Sequence, residues 1–120
     1  MSAPQAVESA TDDRDEALDR VANALADRTR RRLLRLVRLG ERSAGDLAAE
    51  FPDISRSAVS QHLRVLHDAG LLSVRADGPR RMYRVHADGL GPITQFVDEM
   101  WMSKLAGLKR VAEDIARGRV

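Results

Sequence analysis

The sequence predicts a mainly α-helical domain carrying one small β-hairpin. Apolar residues recur at three- and four-residue spacing along most of the chain, and Ser and Gly punctuate those stretches as helix caps. Only residues 71–85 switch to strand-like patterning, around an Asp-Gly-Pro turn. At 120 residues the chain is one domain long, and with one Trp, one Tyr and two Phe its core has to be built from short aliphatics.

Taken in order, residues 1–15 are expected as a disordered acidic leader, because Pro4 comes early and Glu8, Asp12, Asp13 and Asp15 oppose only Arg14. From Glu16 the spacing of Leu18, Val21, Ala22 and Leu25 predicts a first helix. Leu33, Leu34, Leu36, Val37 and Leu39 form the stripe of a second, which follows Asp27 to Arg32 and stops at Gly40. Ser43 is placed to cap a short helix from Ala44 to Glu50, with Asp46 closing a reciprocal cap and Leu47, Ala48 and Phe51 turned inward. Pro52 and Asp53 break it. Ser55 then caps a longer helix from Arg56 to about Ala69, whose inner face is Val59, Leu63 and Leu66 and whose end is Gly70. Short helix, tight turn and longer helix make a helix-turn-helix. Residues 71–75 and 82–85 read as paired strands around Asp77, Gly78 and Pro79. After Gly89, Gly91 and Pro92 a last helix begins near Ile93 and fades after Val111. The folded domain is therefore expected over 16–111 as a winged helix-turn-helix, with 112–120 as a flexible tail.

Charge sharpens the functional reading. Lys and Arg number 20 against 18 Asp and Glu, a net charge of +2, but residues 28–38 hold six Arg and no acid while the leader is acidic. The near-neutral total conceals a polarised molecule. There is no cysteine, which excludes disulfides, thiolate metal ligation and thiol redox sensing in this chain. No apolar stretch is long enough for a bilayer and no signal segment is present, so a cytoplasmic protein without a membrane partner is expected. Glycine-rich phosphate loops, metalloprotease motifs and nucleophile elbows are absent, which argues against an enzyme. His62 and His67 are five apart and do not stack on a helix, and His86 lies beyond the hairpin, so neither a metal site nor a cofactor is expected.

With its inner face pinned, the longer helix must present Arg56, Ser57, Ser60, Gln61 and Arg64 outward. Gln pairs bidentately with adenine, Arg with guanine, and Ser with either class of polar edge, so this is a base-reading face for double-stranded DNA. A solvated amphipathic helix would look the same in isolation; the short capped helix before it and the basic hairpin after it favour readout. His62, beside the apolar face, is also assigned to the reading helix. His67, toward its C-terminus, is expected to be structural. Arg80 and Arg81 at the hairpin tip, Tyr83 behind them, and Arg31 from the basic run are assigned to the wing and to phosphates. The terminal stripes Leu18, Val21, Leu25, Phe96, Val97, Met100 and Trp101 exceed what a small core absorbs, which predicts a homodimer joined through them.

Several linked segments resemble the arsenical-repressor (ArsR) family of bacterial transcription regulators. They are Ala24-Leu-Ala-Asp-Arg-Thr-Arg-Arg-Arg-Leu-Leu, Ser43-Ala-Gly-Asp-Leu-Ala, the run from Ile54 to Leu72, and Arg80-Arg-Met-Tyr-Arg-Val, together spanning roughly residues 17–101. The resemblance implies a homodimer, joined through first and last helices, that represses transcription from an operator, often of its own gene. It also places Ser57, Ser60, Gln61, His62 and Arg64 on the recognition helix and Arg80 and Arg81 on the wing. Members that sense soft metals carry a cysteine pair where this chain has Arg42-Ser-Ala-Gly-Asp-Leu. Asp88 and His86 are not completed by a His between Ile93 and Leu105, so the sequence resembles the branch without metal sites, and its effector is not readable. Arg28 also departs from the Pro common in the family after Asp27. The expected function is a sequence-specific, autoregulatory repressor acting on an imperfect inverted repeat. The alternatives are a nonspecific nucleoid-coating protein, which would bind unrelated duplexes equally, and a winged-helix protein-association module.

Overall fold

Helices in this chain begin where side-chain oxygens take up amides that would otherwise have no partner. Asp27 Oδ2 accepts from the Arg30 amide at 3.0 Å, Ser43 Oγ from the Asp46 amide at 3.1 Å, and Ser55 Oγ from the Ala58 amide at 3.0 Å. The computed structural model describes residues 3–118. The three caps open α2 (Arg28–Val37), α3 (Ala44–Ala49) and α4 (Arg56–Asp68), between α1 (Ala3–Leu25) and α5 (Gly91–Ala116). The reciprocal cap expected from Asp46 does not form. Asp is one methylene shorter than the residue that usually reaches back, and its carboxylate instead lies 3.7 Å from Arg80 Nη2.

Residues 72–85 form the expected hairpin, β2 (Leu72–Asp77) and β3 (Arg80–Val85), with Asp77 opposite Arg80. That register leaves Gly78 and Pro79 as a two-residue loop. Gly78 has φ 61°, and because Pro79 cannot take positive φ, the loop meets the requirement of the turn type that carries glycine first and matches strand twist. Arg80 and Arg81 are consequently strand residues, not loop residues. A third strand, β1 (Arg42–Ser43), pairs antiparallel with β3, giving the order β1-β3-β2. The result is a mainly helical winged helix-turn-helix.

One aliphatic core joins these pieces. Val21 and Ala24 from α1, Leu33 and Val37 from α2, Leu47 from α3, and Val59, Leu63 and Leu66 from α4 converge with Phe51, Leu71, Leu72 and Tyr83. The end of α4 fixes where the wing departs: Gly70, at φ 81°, donates to the His67 carbonyl and the Leu71 amide reaches the Leu66 carbonyl, both at 2.9 Å. Leu66 and Leu71, brought together by that closure, are both buried.

Two boundaries differ from the sequence reading. Residues 3–15, expected as a disordered leader, lie in α1, where Ala, Gln and Glu favour helix and Pro4 falls in the first turn, which has no amide partner to lose. Residues 112–116, expected in the tail, continue α5, and Glu113 lies 4.0 Å from Arg117 one turn on. The long helices make the chain extended: its radius of gyration is 20.5 Å, against about 14 Å for a compact domain of this length. Along α5, Phe96, Val97, Met100, Trp101, Leu105 and Leu108 are all exposed, Trp101 at 57%. Val21, expected at the same interface, is instead buried in the protomer's own core at 1%, because it shares a face of α1 with Ala24 toward α2 and α4.

Candidate nucleic-acid interface

The fold divides the polar residues of α4 into two sets. Arg56, Ser57, Ser60, Gln61 and Arg64 are exposed, and among the described residues none of their side chains makes a hydrogen bond or ion pair. Five polar side chains free on one helix face remain available to base edges. Ser60, Gln61 and Arg64 also line a groove of about 670 Å³ between α4 and the wing, and Arg81 and Tyr83 form its opposite wall. Helix and hairpin together thus offer a trough with hydroxyl, amide and guanidinium groups along it.

His62 is not part of this set. It turns inward, with Nδ1 3.3 Å from Arg30 Nη1 and 3.8 Å from Asp27 Oδ2, because it stands one residue from the buried Leu63 and faces the start of α2. The amide of Arg30 holds the Asp27 carboxyl below its ordinary range, with the His62 and Arg30 charges adding to the effect against partial burial. Arg31 is likewise committed elsewhere, since its Nη1 donates to the Leu25 carbonyl at 2.8 Å. Arg30 donates to the Ala24 and Asn23 carbonyls at 2.8 and 2.9 Å, so these two arginines close the C-terminus of α1.

On the wing, Arg81 is exposed and unpaired among the described residues, whereas Arg80 faces Asp46 on α3. Tyr83 is 9% exposed; its ring belongs to the core and only its edge borders the groove. Arg75 is bound to Glu41, Nε to Oε2 at 2.9 Å, and its hydrogen bond holds the Glu41 carboxyl below the usual range. That pair ties β2 to the segment before β1. His67 also lines the groove, a position the sequence reading gave a structural role. Its spacing held the signal, because residue 67 falls three after Arg64 and seven after Ser60, on the same face. Among the described residues no group of three His, Asp or Glu is placed to hold a metal ion, and no helix is long and apolar enough to cross a membrane.

Comparison with known proteins agrees with this geometry. Residues 25–75 match the model of a helix-turn-helix domain. The chain is 39% identical over 95 residues to the HTH-type transcriptional regulator Rv2034 of Mycobacterium tuberculosis, covering 79% of this chain and 88% of the relative. It is 32% identical over 81 residues to the arsenical resistance operon repressor of Staphylococcus xylosus, covering 68% and 77%. Among solved structures, the homodimeric winged helix-turn-helix DNA-binding domain of a possible ArsR-family regulator from Mycobacterium bovis superposes with a TM-score of 0.58 at 27% identity, covering 75% of this chain and 82% of that one.

Proposed function

Because the chain belongs to the ArsR family of helix-turn-helix transcription regulators, we propose that this DNA-binding regulator is a homodimeric repressor that reads an imperfect inverted repeat, including one at its own gene. The observation that carries the reading is the unpartnered polar face of α4, with Ser60, Gln61 and Arg64 opposite Arg81 across an open groove. An α-helix fits the major groove, and a free Gln and Arg at its lip have the donors and acceptors to distinguish adenine and guanine from their alternatives. Arg81 on the wing takes the flanking backbone, and Arg56 and Ser57, in the first turn, meet DNA where the helix N-terminus favours a phosphate.

Dimerisation follows from α5. Phe96, Val97, Met100 and Trp101 expose a continuous apolar stripe to water, beside which Leu18 of α1 is only half-buried, whereas Leu25 packs against the protomer's own core. A second copy related by a two-fold axis covers the same stripe on both chains and sets two reading helices about 34 Å apart, one turn of duplex. Occupying such a site excludes the transcription machinery, which is repression, and places the protein in the cytoplasm with its operator. The test is binding to the upstream region of its own gene against a scrambled duplex across a salt series. Preference retained at every salt concentration supports sequence reading, while equal affinity for both duplexes leaves only phosphate attraction.

A further inference from the structure

A second cavity, of about 180 Å³, lies on α2 away from the reading groove and shares no lining residue with it. Its floor is Leu34, Leu71, Val85 and Leu90. Aliphatic cavities of about 150 Å³ admit a benzene ring, so this one has room for an aromatic ring or a short alkyl chain. Arg35, in the last turn of α2, and Arg38, its C-cap in helical conformation three residues on, line it with their methylene stems, so that their guanidinium groups lie outside its apolar surface. Both are exposed, and among the described residues neither side chain makes a hydrogen bond or ion pair. His86 closes the remaining side, with Nδ1 3.5 Å from Ser73 Oγ.

We propose that this cavity binds a small effector, a monocarboxylate on an apolar body, with the body on the leucine and valine floor and the carboxylate between Arg35 and Arg38. The two halves of the site call for two halves of a ligand. Guanidinium groups match a planar carboxylate, and the dry floor rejects a wholly polar anion. A neutral hydrocarbon would leave both cations unmatched.

The position gives the ligand a purchase on the rest of the molecule. Leu71 is the residue that closes α4, Val85 ends the wing, and Leu90 directly precedes α5. The His86 amide donates to the Leu71 carbonyl at 3.0 Å, so the roots of the recognition helix and of the wing meet at this wall. A body filling the cavity therefore presses on the junction that sets the angle between reading helix, wing and terminal helix, a link to control that rests on the DNA-reading function proposed above.

The test titrates phenylpropanoate into the full methyl-labelled chain without DNA, with phenylpropanol and propanoate as the neutral and bodiless controls. Saturable shifts confined to the methyls of Leu34, Leu71, Val85 and Leu90 are expected, with both controls weaker by about tenfold or more. The double variant R35A/R38A, altered only at exposed helix positions, should bind about tenfold more weakly or worse with an unchanged circular dichroism spectrum. Phenylpropanol binding as tightly as phenylpropanoate, shifts scattered over the surface, or undiminished binding by the variant would each overturn the site. In a second arm with upstream DNA, phenylpropanoate should change operator affinity; an unchanged affinity overturns the effector role. Absence of any operator preference would count against the repressor reading alone, because the methyl titration contains no DNA.

Discussion

Arg30 Nη1 donates to His62 Nδ1 at 3.3 Å, which moors the inner side of the recognition helix to the first turn of α2. The side chain therefore points away from the groove that its neighbour Gln61 faces. His62→Ala should cost about 0.5–1.5 kcal/mol in urea denaturation, the worth of one hydrogen bond, and leave base preference intact. Relaxed preference at a single base pair would show that His62 reads DNA after all.

Asp27→Ala removes the cap of α2. Loss of an N-cap costs about 1 kcal/mol, so the urea midpoint should fall accordingly. The folded carboxyl titrates below its ordinary value of 3.8, because the Arg30 amide hydrogen-bonds its charged form. A depressed carboxylate stabilises the fold fully above its unfolded pKa, and the contribution disappears as pH falls through the folded value. The difference in stability between wild type and Asp27→Ala should accordingly be constant near neutrality and shrink below about pH 4. A difference that grows in acid would contradict the assignment.

Two glycines separate close packing from open space. A Cβ on Gly89 would run into the Gly70 carbonyl oxygen, a backbone atom that cannot swing aside, whereas one on Gly107 meets nothing within 4 Å. Gly89→Ala should cost about 1–3 kcal/mol by overpacking, and Gly107→Ala, inside α5, should be neutral or slightly stabilising. Thermal melts of the two variants check the contrast.

The α5 stripe predicts the effect of a charge. Trp101→Glu, at a position already 57% exposed in the protomer, should leave helix content unchanged but shift sedimentation from dimer to monomer. Affinity for a complete operator should drop about a hundredfold or more because binding is no longer bivalent, with affinity for an isolated half-site nearly unchanged. A variant that still sediments as a dimer would remove this stripe from the interface.

How far the fold was readable depended on the range of the interactions. Ser43, Ser55 and Gly70 act on neighbours a few residues away, so the helix-turn-helix and its limits were legible in the chain. The hairpin was legible for the same reason. β1 was not, since two residues carry no periodicity and Arg42–Ser43 become a strand only by pairing with Met82 and Tyr83. The direction of a polar side chain beside an apolar face was equally hidden: Ser60, Gln61 and Arg64 fell on the groove as their spacing implied, but His62 turned inward to charges contributed by α2. Arg31 was absorbed by a helix end and Arg80 by Asp46, partners that only the folded chain brings within reach. Acidic residues in 8–16 obscured the helix propensity of the segment, and Val21 was needed by the core before any interface could use it.

The most direct test compares Gln61→Ala, Arg64→Ala and Arg81→Ala for operator and scrambled DNA at several salt concentrations. The first two should each narrow the preference for operator by about 1–3 kcal/mol, the worth of one bidentate pairing with a base. Arg81→Ala should weaken both duplexes alike and lower the salt slope by about one. An affinity ratio unchanged by removing Gln61 and Arg64 would contradict the claim that this face of α4 reads sequence.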